Sequence, residues 1–234
     1  MAHKRISRSR KRELGEPDEF ITFTTKLLRF VAENRRKIVS AAGIGIALII
    51  VFSGIRYYSV QTEKKAFAML ENGLKKYEKS LGSDDPVKVY LDVKTDFQFI
   101  LDEYPRMKAG KIARMVFANI CYAAGEYDVA IDMYHQSLED FEERPFYRYL
   151  VLNSLAYAYE QKKDYAHAVN YMEMINSGPD LEMKDDVFFT LGRLYSANND
   201  TDKKMEFFKK IIDEYPDSIY IDIVKEKIGD ARFP

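Results

Sequence analysis

Few residues in this chain are of types that do chemistry, so their spacing is weighed first. Histidine occurs at His3, His135 and His167, and cysteine only at Cys121. A zinc site gathers Cys, His or carboxylate ligands at close spacings, and neither His135 nor His167 has a Cys or a second His at ligand spacing. Solvated surface positions are the expectation for both. A single cysteine makes no intramolecular disulfide and no multi-cysteine metal centre. Cys121 also lacks a nucleophile signature, so packing is its expected role. No G-x-S-x-G, P-loop or dinucleotide fingerprint is present. The acidic pairs Asp102-Glu103 and Asp213-Glu214 remain as candidates for acid–base work. They sit in two copies of one segment, and a carboxylate pair that repeats with the fold reads as a solvated helix end rather than a catalytic dyad. Asn199-Asp200-Thr201 fits the glycosylation sequon, a triplet common by chance. The chain is expected not to be an enzyme and to use no cofactor and no metal.

The elements around these residues are helical in pattern. Seven prolines and eleven glycines are few for 234 residues, and they fall mainly between periodic runs. That favours long helices over many short strands. The net charge of -1 hides an asymmetry. Residues 1 to 37 carry 11 Lys/Arg against 5 Asp/Glu, and residues 38 to 234 carry 25 against 32. A basic head and an acidic body suggest different surroundings for the two ends.

Residues 38 to 55, IVSAAGIGIALIIVFSGI, hold no charge. At about 1.5 Å per residue this run reaches ~27 Å, close to the hydrocarbon thickness of a bilayer. Tyr57 and Tyr58 extend it as interfacial residues, and Arg35-Arg36-Lys37 stands at its mouth. A cleaved signal peptide would have a shorter apolar run and a small-residue cleavage site, so an uncleaved signal anchor over 38–58 is expected. The Lys/Arg bias puts the N-terminus in the cytoplasm and the body outside, which in a bacterium means an inner-membrane, single-pass protein with a periplasmic C-terminal domain. Residues 1–17 read as a basic, disordered cytoplasmic tail. Over 18–37, Phe20, Phe23, Leu27, Phe30 and Val31 recur at helical spacing, which predicts an amphipathic juxtamembrane helix on the inner leaflet, with a helix packed on a partner protein as the alternative. Nothing in the basic tail specifies nucleic acid.

Residues 59–234 repeat. Ile100-Leu101-Asp102-Glu103-Tyr104-Pro105 returns as Ile211-Ile212-Asp213-Glu214-Tyr215-Pro216, and between the copies Gly125-Glu126-Tyr127 and Lys163-Asp164-Tyr165 mark two turns. Here the sequence resembles the tetratricopeptide repeat family. The resemblance runs through Ala118, Gly125, Tyr127, Ala130, Ile131, Tyr134 and Leu138, then through Leu155, Ala156, Tyr159, Tyr165, Ala168 and Val169. In the third copy it runs through Leu191, Gly192, Tyr195, Phe208 and Pro216, with Lys204 in place of the small helix-B residue and Asn199 in place of the turn glycine. Paired small residues let antiparallel helices approach, and bulky side chains fill the gaps between pairs. Each pair leaves an apolar face for its neighbour to cover. The expected fold is all-α: about four helical hairpins in an α-α superhelix, with one N-terminal transmembrane helix. The first hairpin is irregular, its helix A over Gln61 to Lys79 continuing from the membrane helix with Phe67, Leu70, Leu74 and Tyr77 on one face. Gly82-Ser83-Asp84-Asp85-Pro86 breaks it, and its helix B turns Val93, Phe97, Ile100 and Leu101 inward. A cap helix over Ile219 to Ile228 closes the stack, with Lys225, Glu226 and Lys227 outward.

The resemblance implies a groove lined by helix-A side chains: Met115, Asn119 and Tyr122, then Asn153, Tyr157 and Glu160, then Phe189, Arg193 and Ser196. For Met115 and Phe189, packing against neighbouring repeats is an equal alternative. Such a groove suits an extended segment or a helix of a partner protein. The family's carboxylate-clamp subtype needs basic residues at positions held here by Met115 and Asp186, which argues against that mode. The order of basic leader, single apolar span and repeats looks like the YfgM family of ancillary Sec translocon subunits. That likeness implies an adaptor meeting translocon components, periplasmic chaperones or nascent chains. An adaptor in envelope assembly or cell division, a cytoplasm-facing scaffold and a membrane-bound enzyme are the alternatives.

Overall fold

The computed structural model describes residues 19–82, 85–178 and 184–229. The tail over 1–17 lies outside them, as do Ser83 and Asp84. Every element among the described residues is an α-helix: α1 (Glu19–Glu33), α2 (Arg35–Ser80), α3 (Pro86–Glu103), α4 (Lys108–Ala123), α5 (Tyr127–Asp140), α6 (Pro145–Gln161), α7 (Tyr165–Asn176), α8 (Lys184–Ala197), α9 (Thr201–Glu214) and α10 (Ile221–Gly229). The chain forms two compact units, Met1–Gln61 and Thr62–Pro234, and the boundary falls inside α2.

In the first unit the helical ladder passes through the single residue between α1 and α2. The Asn34 amide donates to the Phe30 carbonyl and the Asn34 carbonyl accepts from Ile38, both at 3.0 Å. No loop separates α1 from the apolar helix α2. The apolar side chains of Ile44, Leu48, Ile49, Ile50, Phe52 and Ile55 are all exposed, as are Phe23, Leu27, Leu28, Phe30 and Val31 of α1. The side chain of Phe20 is outside the description. Among the described residues, α2 is the helix long and apolar enough to cross a membrane, and its most apolar window is not buried at all.

In the second unit, α4 with α5, α6 with α7 and α8 with α9 form antiparallel hairpins, and each packs on the next. Their sequences differ at the tip, yet the three turns close alike. Gly125, Lys163 and Asn199 each take positive φ (84°, 60° and 60°). The next amide then reaches back five residues, Glu126 to the Cys121 carbonyl, Asp164 to Tyr159 and Asp200 to Tyr195, each at 2.9 Å. This is the Schellman closure, which satisfies carbonyls left open at a helix end. Helix B then starts on a side-chain cap in two of the three: Asp164 accepts from the His167 amide at 3.2 Å and Asp200 from the Lys203 amide at 3.0 Å. The duplicated Tyr-Pro ends also share one geometry, with the Tyr104 and Tyr215 amides donating to Ile100 and Ile211. Asp102, Glu103, Asp213 and Glu214 are exposed beside those ends.

Small residues hold each pair close. Ala118, Ala130, Ala156 and Ala168 are all fully buried or nearly so. Aromatic rings stack between α3 and the next hairpin, Tyr90 and Phe97 on Phe117, and within hairpins, Tyr159 on Tyr171 and Tyr195 on Phe207. The buried face of the end of α2 differs from the expected one. Ala66, Leu70 and Gly73 are buried while Phe67 remains 41% exposed. The cause is Phe97 of α3, whose ring lies 3.5 Å from where a Cβ on Gly73 would stand, so α3 packs against the small-residue side of the helix. Val93, Phe97 and Ile100 point inward as expected, and Leu101 is half-buried. The cap helix begins at Ile221 rather than Ile219, which is 87% exposed, and buries Val224 and Ile228.

Candidate partner-binding groove

The groove residues named from the repeat pattern lie on α4, α6 and α8, the first helices of their hairpins. Not all are available to a partner. Met115 is half-buried against the core. Asn119 accepts a hydrogen bond from the Tyr134 hydroxyl at 2.7 Å, which ties its oxygen to the hairpin's own helix B. Phe189 stacks on Tyr220 with ring centroids 4.3 Å apart and also meets Phe208, so the segment leading into the cap covers it. For Phe189, packing is the observed role.

The rest converge on Tyr157. Tyr122 of α4, Tyr149 of α6, Arg193 of α8 and Tyr220 before α10 all feel its hydroxyl electrostatically. Tyr122 also tilts against Tyr127, with ring centroids 5.6 Å apart. Glu160 grips Arg193 through both carboxylate oxygens, the Nη2 contact being 2.9 Å. This bidentate pair clamps α6 to α8 across 33 residues of sequence. Tyr220 donates to Asp186 at 2.7 Å, and Ser218 donates to Asp185 at 2.6 Å. Among the described residues, the Tyr149 and Tyr157 hydroxyls and the Asn153 amide make no hydrogen bond. Ser196 is exposed at the far end.

The electrostatics of this surface follow from two influences. Burial pushes the Tyr122 phenol up, with Glu160 adding, and burial followed by Asp186 does the same to Tyr149. The hydrogen bond to Asp186 is the larger cause for Tyr220, which rises to about 12. Hydrogen bonding to Glu160 raises Arg193. All these tyrosines stay neutral donors at ordinary pH, and Arg193 stays charged.

Three features were not assigned to the groove from sequence. Tyr149 and Tyr220 carry no repeat signature that marks them as lining residues. Lys204 did carry a signal, because it breaks the small-residue rule of helix B. Of the two histidines, one matches the expected solvated position and one departs from it. His167 is exposed and bonded to Asp164 at 2.8 Å. His135 is half-buried, with a ring nitrogen 3.2 Å from the Tyr159 hydroxyl and an edge contact to Tyr171. It is part of an inter-hairpin aromatic column rather than a solvated residue, because α5, α6 and α7 bring three rings together there.

Groups able to act as nucleophiles or ligands are scarce among the described residues. Cys121 is buried, and burial pushes its thiol up to about 12, which keeps it from ionising near neutral pH. No group of three His, Cys, Asp or Glu side chains is placed to hold a metal ion among the described residues.

Models of the tetratricopeptide repeat match the chain over residues 150–173 and 186–218. These spans cover most of α6 and α7, and most of α8 with all of α9. The chain therefore contains tetratricopeptide repeats, which serve as protein-interaction scaffolds. No curated protein matches the sequence.

Proposed function

We propose that the protein is a membrane-tethered, non-enzymatic scaffold whose Tyr122–Tyr157–Arg193 surface takes a segment of another protein. The observation that carries this reading is the set of polar groups left open along the groove: Tyr149, Asn153 and Tyr157 offer hydroxyl and amide groups that make no hydrogen bond among the described residues. Aromatic side chains of few rotamers with a polar tip provide most of the energy at protein interfaces. The tether reading rests on α2, whose apolar window has no cover within its unit. Bare apolar surface of that extent is costly in water and favourable in lipid. The triplet Arg35-Arg36-Lys37 at its mouth supports a cytoplasmic N-terminus and a periplasmic body at a bacterial inner membrane. The cations of α1, Lys26 and Arg29, suit the anionic inner leaflet.

Within that setting the architecture is similar to the YfgM family, and the partners are translocon components, periplasmic chaperones or nascent chains. Photo-crosslinking from Asn153 and, as a control, from exposed Glu139 of α5 tests this in living cells. Adducts with translocon subunits or nascent chains from Asn153 but not Glu139 are expected. Adducts only with division or envelope-assembly proteins would move the function to that alternative. Release from membranes by carbonate would remove the tether, and a C-terminal reporter active only in the cytoplasm would reverse the topology.

A further inference from the structure

Beyond the tyrosine groove, at its α8 end, lies a cavity of about 230 Å³ lined by Arg193, Ser196, Ala197, Lys204, Phe208 and Lys227. Three of those six side chains are cationic and none is acidic. Two of the cations stand where the fold does not require them. Lys204 occupies the helix-B position that the preceding hairpins fill with buried Ala130 and Ala168. Lys227 belongs to the cap helix, yet it is half-buried toward this cavity while its neighbours Lys225 and Glu226 face solvent. Neither Lys204 nor Lys227 has an ion pair or hydrogen bond among the described residues. Two half-buried lysines lining one cavity with no counter-charge leave it a place where an anion gains charged hydrogen bonds. The hydroxyl of Ser196 adds a donor, and the guanidinium of Arg193, already paired with Glu160, forms the wall on that side.

We infer that this cavity is a carboxylate-binding subsite of the groove, formed by Lys204, Lys227, Arg193 and Ser196. The inference rests on the groove reading above, since Arg193 and Ser196 belong to both surfaces. A single negative charge fits better than a double one. Glu160 already places a carboxylate on the other side of Arg193, and repulsion from it grows with the charge of the incoming group. The carboxylate comes from either of two sources, the C-terminus of the bound segment or an Asp or Glu side chain within it. This subsite differs from one on α4 and the start of α8, where Met115 and Asp186 supply no cation.

The test uses the full chain in non-ionic detergent micelles, immobilised through its N-terminus. It is exposed to three pools of short random peptides: free-acid peptides lacking Asp and Glu, C-terminally amidated peptides lacking Asp and Glu, and amidated peptides containing them. Retained peptides are counted by mass spectrometry. Wild-type protein should retain at least one carboxylate-bearing pool about tenfold better than the pool without carboxylates, as expected for a charged hydrogen bond. The better-retained of the two carboxylate pools identifies the source. In the double variant Lys204→Ala and Lys227→Gln the preference should fall to parity, and retention of the carboxylate-free pool should not change. Lys204→Ala installs the residue the other two hairpins carry, so folding is preserved, and an unchanged melting temperature checks it. If the variant fails that check, Lys204→Gln with Lys227→Gln keeps the side-chain length and repeats the measurement. Equal retention of all pools by wild type, or a preference that survives the substitutions, overturns the subsite while leaving the groove reading in place. Retention of no pool at all sinks both. Inorganic phosphate displacing the peptides far better than acetate at matched ionic strength would overturn the assignment to a carboxylate.

Discussion

The α6–α7 and α8–α9 hairpins solve one packing problem with opposite residues. In the first, Ala156 of helix A and Met172 of helix B hold the paired positions, with Ala168 one turn earlier on helix B; all three are buried. In the second, Phe208 replaces the methionine and is fully buried, and the helix-A position is Gly192. A Cβ on Gly192 would lie 2.3 Å from the Phe208 ring. The rigid ring has taken the volume of the missing methyl. What these two hairpins share is the summed volume across the helix pair, not the residue at either site. Lys204, at the place of Ala168, shows the other side of the same point: a position at the rim of that contact accepts a half-buried cation.

Gly192→Ala should break the comparison most sharply. The ring has nowhere to go, and a loss of about 1–3 kcal/mol in urea or thermal unfolding is expected, as for other overpacked cores. Adding Phe208→Met copies the α6–α7 pair and should recover part of that loss. A neutral Gly192→Ala, or a double variant no better than the single, would refute the volume argument. The mirror change Ala156→Gly creates no clash and should cost only about 1 kcal/mol of helix propensity.

The second prediction concerns a position at which the hairpins differ in chemistry: Cys121 in α4 stands where α6 and α8 carry Tyr159 and Tyr195. The Cys121 thiol is raised from 9.0 to about 12 by burial, with Glu126 adding. The fold accommodates the neutral thiol, so its contribution is full below pH 9 and drains as the unfolded chain ionises first, until the folded thiol ionises near 12. Between pH 8 and pH 10, wild type should lose about 1 kcal/mol more stability than Cys121→Ala. Parallel loss in the two proteins would show that the thiol does not report this burial.

The three αL turns sharpen the comparison on the backbone. Lys163 takes a conformation that Gly125 adopts freely and that costs a side-chain-bearing residue about 1–2 kcal/mol. Lys163→Gly should therefore stabilise by about 1 kcal/mol, and Asn199→Gly by less, because asparagine tolerates this region. A destabilising Lys163→Gly would mean that its side chain makes a contact worth more than the strain; its neighbour Lys162 already pairs with Asp128 across hairpins. The smallest effect is at Ser137. Its hydroxyl is fully buried with no hydrogen-bond partner among the described residues. Ser137→Ala should be neutral to slightly stabilising, within about 0.5 kcal/mol, because it removes an unsatisfied group and leaves a small one.

Much of this was legible from the chain. The duplicated Tyr-Pro segments and the spaced Gly125 and Lys163 turns located the hairpins, because a helix stop is a local event fixed by a few residues. The run from Ile38 to Ile55 was visible for the same reason, since charge and length are properties of the segment itself. The groove was legible in part. Tyr122, Tyr157, Glu160 and Arg193 come together, but Asn119 is engaged by Tyr134 and Phe189 is covered by Tyr220. Helical periodicity gives the face a residue occupies and not the neighbour that arrives there.

The helices, their turns and the apolar span were therefore determined by sequence alone, because periodicity, αL turns and charge exclusion act over a few residues. Tertiary structure alone decided that Gly73 meets Phe97 of α3 while Phe67 stays exposed, that His135 is drawn into an aromatic column, and that Lys204 and Lys227 line one cavity with Arg193. Those outcomes depend on volumes supplied by residues far away in the chain, and such volumes compete only once the helices have packed.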